Sequence, residues 1–251
     1  MNLKRNFYYG RHSVNNFDAK NVLKVLKSNA ISQGGELKRL EENVARYCKS
    51  KYCVAVSSAS AALHLSVKSL KIKKPFYGVT SPNTFAATTN AIIHSGGDID
   101  LVDICEEDYN LSIDYFKKYL EKKIRSRQKL PKIVIPVHFA GLSIHMKELK
   151  KICSKHNIKI IEDASQAMGG KYKKKFIGNC KYSDLTVFSM HPVKSITSGE
   201  GGLILTNNEA IYKNLLKLRI NGVDKKNSRS WEQDVNEFGF NYKISELNCA
   251  L

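Results

Sequence analysis

Paired cysteines are what this 251-residue chain most plainly lacks. Its six cysteines (Cys48, Cys53, Cys105, Cys153, Cys180, Cys249) are scattered, with no Cys-x-x-Cys pair and no histidine spacing of the kind zinc requires. They read as reduced, mostly core thiols, and no metal site is expected. Long hydrophobic runs are missing too. Lys4 and Arg5 are not followed by the apolar stretch of a signal peptide, and no segment approaches membrane-spanning length. The expectation is a cytoplasmic protein. No repeat or low-complexity segment is present. Acidic residues are scarce: 23 Asp and Glu face 41 Lys and Arg, leaving a formal charge of +18. Such a balance favours anionic partners.

The lysines cluster at Lys71 to Lys74, Lys117 to Lys129 and Lys171 to Lys175. Nucleic acid is one candidate partner, because Tyr119 and Tyr172 could stack on bases while lysines neutralise phosphates. Against it, Tyr115, Leu120 and Ile124 recur at helical spacing, which puts the charges between them on a solvated outer face. A basic nucleic-acid module therefore stays as the alternative.

What is present is a 42% hydrophobic chain, enough to bury one large core. From about residue 50, short β-rich runs alternate with helical patterns, the signature of βαβ units in a mostly parallel sheet. Seven strands are expected at Tyr52 to Val56, Gly78 to Thr80, Ile99 to Asp103, Lys132 to Val137, Lys159 to Glu162, Leu185 to Phe188 and Leu203 to Thr206. Helices are expected at Ser60 to Leu70, at Thr84 to His94 (closed by Gly96-Gly97) and at Ile144 to His156. Residues 1–35, with one short helix at Asp18 to Lys27 and the turn Ser32 to Gly35, read as an arm packed on a main domain of residues 36–251. Near the end, Ile244, Leu247 and Leu251 form a helical stripe that stops without a cap, so the chain is expected to be a fragment.

In an open α/β sheet, ligands bind beyond the carboxyl ends of the strands. Four such places carry suggestive chemistry. Ser57-Ser-Ala-Ser60-Ala-Ala opens a helix with small residues and free amides that suit a phosphate, or it is an ordinary serine N-cap. Phe85, after Ser81-Pro-Asn-Thr84, offers an aromatic face to a planar ring, or is core. Asp163 ends an apolar run and would pair with a pyridine nitrogen, or caps a helix. Lys194 lies between Ser189 and the glycines 199, 201 and 202. A lysine with its stem in apolar surroundings can attack a carbonyl to form a Schiff base, whereas a solvated lysine is only surface charge.

Taken together, these motifs are recognisable: Ser57 to His64, Ser81 to Thr88, Pro136-Val-His-Phe-Ala-Gly141, Ile161-Glu-Asp-Ala-Ser-Gln-Ala167, Phe188 to Gly202 and Glu237-Phe-Gly-Phe-Asn-Tyr242. The chain resembles, over essentially its whole length, the DegT/DnrJ/EryC1/StrS aminotransferases, fold-type I pyridoxal-phosphate enzymes acting on nucleotide-linked keto sugars. The resemblance implies that Lys194 is the Schiff-base lysine, Asp163 the partner of the ring nitrogen and Gln166 a neighbour of the ring hydroxyl. Phe85 would stack on the ring. The Ala59 and Ser60 amides, with the Ser60 and Ser189 hydroxyls, would hold the phosphate, and Asn241 would reach it from the second subunit of a homodimer. It also implies a small C-terminal domain that this chain lacks.

The chain departs from the usual pattern at Ala59 (often glycine), Ser60 (often threonine) and Lys243 (usually arginine). Related sugar dehydratases carry histidine in place of the lysine, so Lys194 speaks for amino transfer. Tyr9-Gly-Arg-His-Ser13 and Asn29 to Gly34 look most like the pseudaminic-acid branch. That branch aminates C4 of a UDP-linked 4-keto-6-deoxy-N-acetylhexosamine, usually with glutamate as donor. Tyr9, Asn29, Ala30, Ile31 and Ser32 would then contact the sugar nucleotide. The alternatives are another nucleotide-linked keto sugar, or a regulator that binds the cofactor without turnover.

Overall fold

In the computed structural model, residues 10–224, 234, 235 and 237–251 are described. The strands are β1 (Tyr52–Val56), β2 (Tyr77–Thr80), β3 (Asp98–Leu101), β4 (Ile133–Val134), β5 (Lys159–Asp163), β6 (Lys171–Tyr172), β7 (Lys175–Phe176), β8 (Leu185–Ser189), β9 (Gly202–Thr206), β10 (Val223–Asp224) and β11 (Asp234–Val235). The helices are α1 (Asn16–Leu26), α2 (Gly35–Cys48), α3 (Ala59–Ser69), α4 (Ala86–His94), α5 (Ile113–Arg125), α6 (Met146–Lys155), α7 (Glu209–Leu218) and α8 (Glu246–Ala250). Seven strands form the main sheet in the order β1-β9-β8-β5-β4-β2-β3. The seven expected strands are these seven, although Lys132 to Val137 shrinks to the two residues of β4 plus a single bridge from Val137 to Asp163.

The sheet is parallel from β3 through β8, while β9 runs antiparallel to both of its neighbours. Alternation along the strands splits the core into two faces. Val54, Val56, Ile161, Leu185, Val187 and Ile204 face one side, packed with α3 and α7. Cys53, Ala55, Phe188, Leu203 and Leu205 face the other, against α2, and Val134 and Ile160 continue that face beneath α5 and α6. β8 and β9 are buried at every position. With both faces covered, they read as unbroken apolar runs. All six cysteines are free thiols, four of them buried.

The apolar stripe expected on α5 needs correction. Its buried face is Ile113, Phe116 and Leu120, while Tyr115 and Ile124 are exposed. Lys117, Lys118 and Lys122 still lie on the solvated side, where Lys117 pairs with Asp114 and Glu148, whereas Lys123 is largely covered, lying over the Tyr77 and Tyr119 rings and pairing with Asp100. Ile244 likewise belongs to no helical stripe. It is buried ahead of Ser245, the N-cap of α8.

The start of α2 is fastened from far along the chain. α2 begins at Gly34 without a side-chain cap of its own. Its first amides are satisfied instead by the buried Glu246 carboxylate, which accepts from Glu36 N at 2.7 Å and Leu37 N at 3.2 Å. The helix dipole favours that negative charge, and the free amides need the acceptor. A side chain on Gly34 would bring its Cβ to 3.0 Å from Glu246 Oε2, so the close approach requires glycine.

Candidate active site

Because β1, β2, β4, β5 and β8 point the same way, their carboxyl ends share one edge of the sheet, and antiparallel β9 starts there. Gly202, the first residue of β9, pairs with Val56 on one side and Ser189 on the other. This places the serine turn after β1 beside Ser189 after β8. The turn rests directly on Gly202, where a Cβ would lie 2.3 Å from the Ser58 carbonyl oxygen and 2.7 Å from Ala59 N.

The serine turn combines an N-cap with amides left free of helix partners. Ser58 is the N-cap of α3, its hydroxyl accepting from Ala61 N at 3.1 Å. The amides of Ala59 and Ser60, at the first two helical positions, have no helix carbonyl to bond and lie at the positive end of the dipole. Ser60 is exposed and Ser189 is buried. The turn is tied to the end of the chain, because Ser57 N donates to Tyr242 O at 3.0 Å.

Asp163 ends β5 and is buried. No helix follows it, so the helix-cap reading fails. Its Oδ2 accepts from Thr88 Oγ1 at 2.7 Å, and its Oδ1 accepts from Ser165 N at 3.2 Å and Ser165 Oγ at 2.6 Å. Behind it, Glu162 points to the opposite face, where it accepts from Thr186 at 2.9 Å and from Ser183, and meets His138 Nε2 at 2.7 Å. Burial pushes the Glu162 carboxyl up, but the bonds from His138, Ser183 and Thr186 outweigh burial and hold it below the usual range.

Phe85 is not core: it is the N-cap of α4 and 79% exposed. It borders a cavity of about 400 Å³ that also touches Ser57, Ser58, Ser60, His64 and Tyr242. His64 is buried, its Nδ1 3.1 Å from the Tyr242 hydroxyl. Burial, with smaller contributions from His94 and Lys68, lowers its pKa to about 4.

Gln166 is half-buried, its Oε1 accepting from Ala140 N at 2.8 Å. Lys194 is half-buried in the turn between β8 and β9, its backbone N bonded to His191 O at 2.9 Å. Among the described residues, no acid pairs with its ammonium, unlike Lys117 or Lys123. The Asn248 side chain of α8 clasps this turn at the Ser198 carbonyl.

Asn241 is exposed and bridges Ile220, and its neighbour Tyr242 makes the contact with the serine turn. Asn29, Ala30, Ile31 and Ser32 are all exposed. Their backbone is anchored to the start of α8, with Glu246 N donating to Ile31 O at 3.1 Å and Ser32 bridging Ser245. Tyr9 lies outside the described residues. Thr88, Gly202 and His64 were within reach of sequence reasoning only as motif members. The sign for Thr88 was a second hydroxyl, Thr84, four residues earlier.

The two tyrosines offered for base stacking are occupied. Tyr119 stacks on Phe116 and donates to Asp100 at 2.6 Å, and Tyr172 packs edge-on against Tyr182. Among the described residues there is no cluster of metal ligands, and no helix is long and apolar enough to cross a membrane.

Residues 12–251 match the description of the DegT/DnrJ/EryC1/StrS aminotransferase family. The chain belongs to that family. It is 35% identical over 243 residues to the UDP-4-amino-4,6-dideoxy-N-acetyl-beta-L-altrosamine transaminase of Campylobacter jejuni, a match spanning 97% of this chain and 62% of the relative. It is 32% identical to the spore coat polysaccharide biosynthesis protein SpsC of Bacillus subtilis, over 99% of this chain and 64% of that one. Among solved structures, Helicobacter pylori PseC, described as an aminotransferase involved in the biosynthesis of pseudoaminic acid, superimposes with a TM-score of 0.88 at 29% identity. That match covers 98% of this chain and 64% of PseC. The sugar aminotransferase Spr1654 of Streptococcus pneumoniae in its PLP form gives a TM-score of 0.85 at 25% identity, covering 98% and 64%. The chain thus spans under two thirds of these relatives. The DegT fold expected from the sequence is the fold observed, a mostly parallel seven-stranded sheet flanked by helices.

Proposed function

We propose that this protein is a pyridoxal-phosphate aminotransferase that moves an amino group from glutamate to C4 of a UDP-linked 4-keto-6-deoxy-N-acetylhexosamine, for surface sugars of the pseudaminic-acid type. The supporting observation is the gathering of Lys194, Asp163, Phe85, Ser189 and the first turn of α3 along one sheet edge. The donor set suits the cofactor: amides and hydroxyls for a phosphate, an exposed aromatic ring for a flat face, a buried carboxylate for a ring nitrogen and an unpaired lysine for a carbonyl. The substrate reading draws on the Campylobacter relative and on PseC.

When bound, pyridoxal phosphate supplies an electron sink for the bond broken at the donor carbon. Ser60, Ser189 and the Ala59 and Ser60 amides would hold the phosphate, and Asp163 would accept a hydrogen bond from the ring nitrogen. With the cofactor in place, Lys194 Nζ would serve as the general base that takes the proton from the α-carbon of glutamate and, in the second half-reaction, as the acid that delivers one to C4 of the sugar. Gln166 sits near the ring hydroxyl. Asn241 reaches the phosphate of a second subunit, and Tyr9 and Asn29 to Ser32 contact the sugar nucleotide. The reaction takes place in the cytoplasm, in a homodimer.

Incubation of purified protein with cofactor, glutamate and the UDP-4-keto sugar should yield the 4-amino sugar, and Lys194→Ala should yield none. Amination of other keto sugars but not this one would overturn the substrate assignment. Equal product from the variant would overturn the mechanism.

A further inference from the structure

Resting on the pyridoxal-phosphate reading, we infer that Thr88 is a positioning residue that fixes the orientation of the Asp163 carboxylate relative to the ring of Phe85. Thr88 is completely buried, so its hydroxyl has no solvent partner. It donates its one proton to Asp163 Oδ2 at 2.7 Å. Its other contact, Thr84 Oγ1 at 2.7 Å, must then donate to it, and the Thr84 proton takes this shorter bond in place of the 3.3 Å one to the Phe85 carbonyl. The hydrogen bonds run one way, from Thr84 through Thr88 to Asp163. Ser165 holds the other carboxylate oxygen from the opposite end.

The chain of hydroxyls also joins two parts of the site that the sequence separates by 75 residues. Thr88 stands one turn into α4, and its amide donates to the carbonyl of Phe85, the N-cap. The helix end that presents the aromatic face is therefore bonded to the carboxylate at the end of β5. A ring lying on Phe85 meets Asp163 at an angle set by that bond. Small displacements of a charge partner at a reacting ring cost turnover rather than affinity.

The test compares Thr88→Val, which keeps shape and loses the hydroxyl, with Thr88→Ser, which keeps the hydroxyl. Each protein is loaded with pyridoxal phosphate and followed by circular dichroism in the cofactor's visible band and by steady-state kinetics. Thr88→Val should change the dichroic band and lower kcat about tenfold or more, with KM for glutamate within about twofold, a loss of the size seen when outer partners of a site are removed. Thr88→Ser should restore both. A wild-type band and kcat in Thr88→Val, or equal losses in the serine variant, would overturn the assignment. Should Thr88→Val not fold, Thr84→Val should move the dichroic band away from that of the wild type and lower kcat, and a wild-type band and kcat would overturn the assignment. If wild-type protein takes up no cofactor, the underlying reading fails, which is distinct from a normal wild type with an unaffected Thr88→Val.

Discussion

His64 shows how one buried side chain at the rim of the site sets a pH dependence. Burial holds its pKa at about 4, below the ordinary value of 6.5, so the folded protein resists protonation that the unfolded chain accepts. Stability should therefore be unaffected by this residue above pH 6.5 and fall as the pH drops from 6.5 to about 4. Urea midpoints measured across that window should show the decline, and His64→Gln should flatten it. A variant with the wild-type slope would contradict the burial argument. At this scale neither Lys194 nor Asp163 stood out alone, since a strand-end lysine also reads as surface charge and a strand-end aspartate as a helix cap; they became candidates only beside the serine turn, Phe85 and the surrounding motifs. Phe85 was ambiguous, because an aromatic after a turn looks the same whether it faces core or ligand. Gly202 was hidden because its reason is the Ser58 carbonyl, brought to it by a strand pairing.

Among the elements, α2 depends on a residue 210 positions away. The Glu246 carboxylate caps it, while the backbone N–H of the same residue donates to the Ile31 carbonyl. Glu246→Ala leaves buried amides without an acceptor, which costs about 1–3 kcal/mol. A lowered denaturation midpoint of that size is expected, with faster proteolysis within residues 10–34. Unchanged cleavage would show that the carboxylate does not hold residues 10–34, which are then kept in place by the Ile31 and Ser32 backbone contacts to α8 and by α1 packing. The seven strands were legible because apolar runs separated by turn signals have few other readings. The direction of β9 was not, since a strand covered on both faces is a plain apolar run whichever way it points. The α5 stripe was misread because Tyr115 lies about 140° around the helix from Leu120, whereas Ile113 and Phe116 lie within about 40° of it; Ile124 shares that face but sits in the exposed last turn.

For the molecule as a whole, the proposed dimer makes a quantitative statement. If Asn241 serves the neighbouring subunit, Lys194→Ala and Asn241→Ala proteins, each inactive, should form mixed dimers with one intact site. Co-refolding them at equal amounts should recover about a quarter of wild-type activity, since half the dimers are mixed and each has one working site of two. No recovery would place Asn241 in its own subunit's site. The +18 charge suggested anionic partners in general, but it cannot by itself distinguish a sugar nucleotide from nucleic acid. The packing of Tyr119 and Tyr172, visible only in three dimensions, weakens the second. The central claim is that Lys194, among all the lysines of this chain, carries the cofactor. The most direct measurement is borohydride reduction of the protein loaded with pyridoxal phosphate, followed by peptide mapping by mass spectrometry. A single pyridoxyl group on Lys194 is the predicted result. Modification spread over surface lysines, with Lys194 unlabelled, would contradict it.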